Sequence, residues 1–267
     1  VLMYELLRNG EPVDRAPLTN LEQAIAISCN TYFCQAFSET FKKFKTTKEA
    51  YNIWRNHIKS FGIGEWMNND FVSGAKGLLP EHSYYSKYYG RTSWNSSTII
   101  SMAIGQGELL MTPIQMANIA AIIANKGFYY TPHIIKGIEG ENFIDSSFTK
   151  KKYTTINPKY YDVIIEGMEK VISSSNGTAQ NINSEEIIIC GKTGTAQNPH
   201  GDDHSIFIAF APKENPKIAL AVYVENGGWG STWAAPIASL MIEKYTNSKI
   251  NSDLEEFILN GRIAELK

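Results

Sequence analysis

Apolar residues recur along this 267-residue chain in two rhythms. In several segments of the first two thirds they return every three or four positions, as on one face of a helix. In the last third they alternate, as on one face of a strand. Thr19-x-x-Glu22 before an apolar run has the form of a capping box and predicts a short helix over Leu21–Ile27. A second helix is expected over Thr31–Phe44 and a third over Tyr51–Ser60. Ser28-Cys29-Asn30 then falls at a helix–helix junction, where side chains can point into a cleft. From Phe61 to Tyr89 the chain is rich in Gly, Asn, Ser and Tyr without sustained periodicity. That stretch reads as a long, partly ordered excursion, and long loops in compact domains are often functional.

Thr112-Pro113 starts a clear helix, with Thr as the cap, Pro in the first turn and Gly127 beyond the end. Ile114, Ala117, Ala120, Ala121 and Ala124 cover most of its circumference, so it should be buried. Asn157-Pro158 opens another helix with Tyr161, Ile164, Met168, Val171 and Ile172 on one face, ended by Ser173–Gly177. Strands are expected over Ile187–Gln197, Ile206–Ala211 and Ile218–Val224, the last two joined by a Lys213-Glu214-Asn215-Pro216 turn. Gly227-Gly228 breaks the pattern, and Ala234–Tyr245 reads as a helix packed on the sheet. The tail, Asn247–Lys267, adds a short amphipathic helix around Leu254–Leu259. The expected fold class is α+β: an antiparallel sheet of three consecutive strands flanked by helices. Residues 1–246 form the domain and 247–267 a tail. No internal repeat is visible.

Composition adds little to this picture. The chain is 43% apolar and 19% charged with a formal net charge of −2, ordinary for a globular protein. The one dense basic run, Lys150-Lys151-Lys152, reads as a solvated loop, and no nucleic-acid partner is expected. No stretch reaches the roughly 18 apolar residues of a spanning helix. Val1-Leu2-Met3-Tyr4-Glu5 lacks the features of a signal peptide and does not start with Met, which reads as a piece of something longer. Cys29, Cys34 and Cys190 are not a disulfide framework. No Cys/His cluster has zinc spacing, and His200, Asp202, Asp203 and His204 read as a polar hairpin turn. No cofactor is expected.

The chemistry concentrates in Lys192-Thr193-Gly194-Thr195, directly after a β-branched run. This tetrad sets an ammonium, two hydroxyls and a bare backbone along one strand edge, which suits gripping a carboxylate and a carbonyl oxygen. Glycine lets a ligand approach the main chain.

Ser28-x-Asn30 and Lys192-Thr193-Gly194 together resemble two of the three motifs of the penicillin-binding protein and serine β-lactamase superfamily. Several longer segments resemble the penicillin-binding transpeptidases. They are Gly105-Gln106-Gly107 with Thr112-Pro113, Gln115 and Ala117; Lys192 to Gln197; Phe207 with Ala211-Pro212; and Glu225-Asn226-Gly227-Gly228. Ser28–Phe33, Gly77-Leu78-Leu79-Pro80 and Tyr88-Tyr89-Gly90 resemble the elongation-type class B enzymes in particular. The resemblance covers roughly residues 15 to 246.

It implies a D,D-transpeptidase that cross-links peptidoglycan stem peptides ending in D-Ala-D-Ala through a serine acyl-enzyme. β-Lactams would be its inhibitors and other cell-wall synthesis proteins its partners. Membrane anchorage facing the periplasm is implied as well. On this resemblance Ser28 would relay a proton, Asn30 would bind the stem-peptide backbone, and Lys192 and Thr193 would bind the terminal carboxylate. Gly194 would admit the substrate as an extra strand, and the Thr195 N–H would face the oxyanion. The alternatives are a D,D-carboxypeptidase or serine β-lactamase-like hydrolase, and a non-catalytic penicillin-binding sensor or interaction module.

One departure stands out. The family nucleophile lies in Ser-x-x-Lys, ahead of Ser-x-Asn, and residues 1–27 contain no such motif. Ser73-Gly74-Ala75-Lys76 and Ser147-Phe148-Thr149-Lys150 match it in the wrong order and outside a buried helix. Ser174-Ser175-Asn176 is a second Ser-x-Asn at a helix end. The expectation is therefore the C-terminal part of a transpeptidase domain without its nucleophile. The strand Ile218–Val224 would form an exposed edge, and the isolated chain would tend to self-associate.

Overall fold

A computed structural model describes residues 19–71, 73–91, 93–137, 139 and 145–261. The chain opens with α1 (Leu21–Ala26). Its cap is Asn20, whose side chain accepts the Gln23 N–H at 2.9 Å, and not Thr19 of the expected capping box. Asn caps at least as well as Thr and here stands one position nearer the helix. After α1 come α2 (Asn30–Lys42) and α3 (Thr47–Lys59), the latter capped by the Thr46 hydroxyl.

The excursion after α3 contains a helix that periodicity does not show, α4 (His82–Tyr89). Only Tyr85 on it is buried, while Tyr84, Tyr88 and Tyr89 face outward, so no apolar stripe marks it. A 3₁₀ turn at Ile100–Ile104 precedes α5 (Pro113–Ala124), which carries the expected Thr112 cap as a full capping box with Gln115. A short hairpin pairs β1 (Phe128–Tyr129) with β2 (Lys152–Tyr153) around the four-residue α6 (Ser146–Thr149). Its strands are too short for alternation to reveal. The long helix α7 (Tyr161–Ser173) grows from a 3₁₀ turn that Asn157 caps.

Three antiparallel strands follow in the expected order: β3 (Cys190–Ala196), β4 (His204–Ala211) and β5 (Ile218–Val224). In the apolar run before Cys190, Ile187 and Ile189 enter the core and only the Ile188 carbonyl is bonded, by the Lys213 N–H, so β3 begins three residues later than the pattern suggests. Register pairs Lys192 with Ile208 and Gly194 with Ile206. Helix α8 (Ala234–Thr246) lies on β4 and β5, and α5 packs on the same two strands. The last helix, α9 (Ser252–Asn260), turns back to stack Phe257 on Trp233 at 5.0 Å. Among the described residues no strand pairs with the outer edge of β5, and no helix is long and apolar enough to cross a membrane.

Two apolar cores result. The larger joins the sheet to α1, α5, α7 and α8 through Phe207, Phe210, Ile122, Met168, Val171 and Ile242. The smaller gathers Phe37, Phe41, Tyr51, Tyr85, Trp94 and Met102. Tyr51, Tyr85 and Trp94 meet ring to ring at 5.3–5.7 Å, and the Tyr51 hydroxyl donates to the Pro80 carbonyl. Ile25 of α1 belongs to the first core and Phe37 of α2 to the second, so Ser28 stands at the seam between them.

Candidate functional site

The turn after α1 presents Ser28. The Cys29 N–H reaches back to the Ala24 carbonyl and the Ser28 N–H to the Ile25 carbonyl, the paired bonds of a Schellman helix end. That motif needs a left-handed residue, and Ser28 takes the place at φ +54° where glycine is usual. The cost is of order 1–2 kcal/mol for a residue with a Cβ. In return the hydroxyl projects from the seam rather than along the helix.

Lys192 arrives from β3. Its ammonium donates to Ser28 Oγ at 2.9 Å, to the Thr193 carbonyl at 2.9 Å and to Thr193 Oγ1 at 3.4 Å. All three acceptors are neutral oxygens, and among the described residues Lys192 has no carboxylate partner. Burial pushes its pKa down to about 8. Desolvation disfavours the charged form of this lysine, and no carboxylate among the described residues offsets it.

The carbonyls of Thr193 and Thr195 accept from Lys192 and from the Gln106 amide (3.4 Å), respectively. These are alternate residues of an edge strand, as expected of backbone groups that point away from β4. An extended ligand could pair there. Gly194 keeps the strand bare: a Cβ on it would meet the Ile206 side chain at 3.2 Å. The loop after β5 closes the other side. Gly230 N–H lies 3.4 Å from Thr195 Oγ1, and a Cβ on Gly230 would fall 2.6 Å from the Gly194 carbonyl. Asn30 is the exposed first residue of α2, two positions from Ser28, and no hydrogen bond joins it to β3. Beyond the end of β3 a cleft of about 610 Å³ lies between Gly105-Gln106-Gly107 and Ala196–Pro199; of the residues named above only Gln106 lines it.

Ser28, Lys192, Thr193, Gly194 and Thr195 thus come together, with Asn30 beside them. Three contributors were not singled out as site residues from sequence: Gln106, Thr178 and Gly230. Gln106 and Gly230 lie in or next to segments that carried the resemblance, whereas Thr178 looked like the sequel to a helix end. Its hydroxyl is 2.7 Å from Thr193 Oγ1. The decoys stay apart. Ser73 and Lys76 lie in an exposed loop, Ser147 sits on exposed α6, and Ser174 Oγ accepts the Asn176 N–H at the end of α7. Asp203 accepts the Asn198 N–H and so holds the turn after β3, while His204 Nδ1 accepts the Asn226 N–H and ties the start of β4 to the turn after β5. Cys190 is fully buried and its thiol is pushed up to about 12, which leaves it inert.

Residues 8–243 match the transpeptidase family, the penicillin binding protein transpeptidase domain. The peptidoglycan D,D-transpeptidase MrdA of Haemophilus influenzae is 32% identical over 255 residues, which cover 87% of this chain and 37% of that protein. PbpA of Mycobacterium tuberculosis, also a peptidoglycan D,D-transpeptidase, is 31% identical over 258 residues, covering 88% and 45%. The crystal structure of Pseudomonas aeruginosa PBP2 in complex with WCK 5153 superposes with a TM-score of 0.73 at 32% identity, covering 89% of this chain and 52% of that one. The imipenem acyl-enzyme of M. tuberculosis penicillin-binding protein A gives 0.67 at 27% identity, covering 89% and 50%. The chain spans less than half the length of these curated relatives. A left-handed serine bonded to the lysine of a Lys-Thr-Gly edge strand, set in the same fold and matched over residues 8–243, makes this chain a member of the penicillin-binding protein transpeptidase family.

Proposed function

We propose that this chain is the substrate-gripping part of a peptidoglycan D,D-transpeptidase of the elongation type. The observation that carries the reading is the Lys192–Ser28 bond, which joins the two motifs across 164 positions. A stem peptide ending in D-Ala-D-Ala would lie along the open edge of β3. Its terminal carboxylate would meet Lys192 and the Thr193 hydroxyl, and its backbone would pair with Thr195 and with the Asn30 amide. Ser28, held by the lysine, would pass a proton to the departing D-alanine amine. The Thr195 N–H would stabilise the oxyanion, a contribution of about 3 kcal/mol in comparable sites.

The nucleophile of this reaction is a serine of Ser-x-x-Lys at the start of a helix, and no such motif precedes Ser28 in these residues. On this reading acyl transfer needs such a serine beside Ser28 and Lys192, and the 267 residues by themselves should form no acyl-enzyme. Among the described residues the outer edge of β5 is unpaired, and on this reading the isolated chain would pair there with a copy of itself, which light scattering would detect as a dimer.

The relatives support the remaining assignments. Helicobacter pylori PBP2 has been solved with MreC, and another match comes from a peptidoglycan synthase complex. They support a reading in which the full-length protein works among cell-wall synthesis proteins at the periplasmic face of the inner membrane and is inhibited by β-lactams.

The test is the reaction. The full-length gene product, given a stem pentapeptide ending in D-Ala-D-Ala and an amine acceptor, should release D-alanine and form the cross-linked product. Hydrolysis without transfer would instead indicate a carboxypeptidase. No release of D-alanine would remove the catalytic reading.

A further inference from the structure

Thr178 touches both walls of the site. Its N–H donates to the Ala26 carbonyl at 3.2 Å, two residues before Ser28, and its hydroxyl lies 2.7 Å from that of Thr193. Its backbone is set by the end of α7. Ala179 N–H bonds the Val171 carbonyl at 2.9 Å, and a Cβ on Gly177 would fall 2.4 Å from that same oxygen. Three residues on, the Asn181 amide holds the Ser231 carbonyl at 2.9 Å. The Gly177–Asn181 segment thus braces α1, β3 and the loop after β5 together.

The proton count in this brace is informative. An ammonium only donates, so Thr193 Oγ1 is an acceptor towards Lys192. Thr193 has one proton of its own. If it goes to Thr178, none is left for a ligand. If Thr178 is the donor, the Thr193 proton is free to turn into the cleft towards a carboxylate beside Lys192. We propose that Thr178 is a positioning residue: its hydroxyl donates to Thr193 Oγ1 and thereby fixes the Thr193 O–H as a donor to the ligand carboxylate. The chain of donors runs Thr178 to Thr193 to carboxylate, and each link polarises the next. This inference rests on the transpeptidase reading.

The test uses the full-length gene product and two forms of one penicillin, the free carboxylate and the carboxamide. For each protein the acylation rate constant per mole of inhibitor is measured with both, and their ratio is the readout. Both rates come from one preparation, so a change in the folded fraction cancels. Thr178→Val, which removes the hydroxyl at nearly constant shape, should lower the carboxylate-over-carboxamide ratio about tenfold, the scale of one hydrogen bond to a charged group. Thr178→Ser should restore the wild-type ratio, and Thr178→Ala serves as a second hydroxyl-free variant should the valine protein not fold. An unchanged ratio in the hydroxyl-free variants would overturn the role of Thr178. Absence of acylation in the wild type would instead overturn the transpeptidase reading beneath it.

Discussion

Lys192 Nζ stands 2.9 Å from Ser28 Oγ although 164 positions separate the two residues. The contact depends on a stack of elements. Helix α1, whose following turn carries Ser28, packs on α7, and α7 packs on the strand that carries Lys192. The α1–α7 contact is close because Gly167 faces Ile25: a Cβ there would lie 2.9 Å from Ile25 Cβ and 2.8 Å from its Cδ1.

Gly167→Ala should therefore push α1 off α7. Overpacking of this kind costs about 1–3 kcal/mol. Urea unfolding should show that loss, and acylation of the full-length protein should slow as well because Ser28 moves with α1. Wild-type stability in the variant would mean that the α1–α7 distance is not set by this glycine.

Ser28 separates strain from chemistry. Ser28→Ala keeps the left-handed Cβ and loses the bond to Lys192, whereas Ser28→Gly loses the bond and relieves the strain at φ +54°. The glycine variant should be more stable than the alanine variant by about 1 kcal/mol. Both should lose acylation to a similar degree, about 100-fold or more, as expected on removing a proton relay. Equal stability of the two variants would refute a strained Ser28.

Lys192 makes stability depend on alkaline pH. Its value is 10.5 when unfolded and about 8 when folded. Between those values the unfolded chain binds more protons, so stability rises with pH through this window. Lys192→Met removes the titration. The melting temperature of the wild type, measured against that of the methionine variant from pH 7.5 to 10.5, should climb across the window. A flat difference would mean that Lys192 titrates normally in the folded protein.

Gly191 tests the strand itself. A Cβ at this position would lie 2.3 Å from Phe207 Cζ, and Phe207 is fully buried. Gly191→Ala should destabilise by about 1–3 kcal/mol. Gly105→Ala would meet no atom within 4 Å and would suffer only its left-handed backbone, so it is the milder change in a denaturant titration.

Much of this arrangement is legible in the residues. Alternation over Ile218–Val224 and the turn at Lys213–Pro216 specify the sheet because one face of each strand meets a core. Thr112-Pro113 specifies α5 because its cap and its fixed φ act locally. Local signals fail where tertiary contacts decide. Helix α4 hides because only Tyr85 enters the core, and the start of α1 is ambiguous because two good caps stand side by side. The residues that meet around the Lys192–Ser28 bond were visible as two motifs, Ser28-x-Asn30 and Lys192–Thr195. Thr178 was not, because a hydroxyl after a helix end meets Thr193 Oγ1, at 2.7 Å, only when β3 is laid beside it.

The most direct test of the account is the intact mass of two proteins after incubation with a penicillin. The full-length gene product should gain one penicillin per molecule on a serine of Ser-x-x-Lys, and the 267-residue chain should gain none. A stoichiometric adduct on the isolated chain, at Ser28 or at Ser73 or Ser147, would contradict the assignment of Lys192–Thr195 and Ser28 as a grip without its nucleophile.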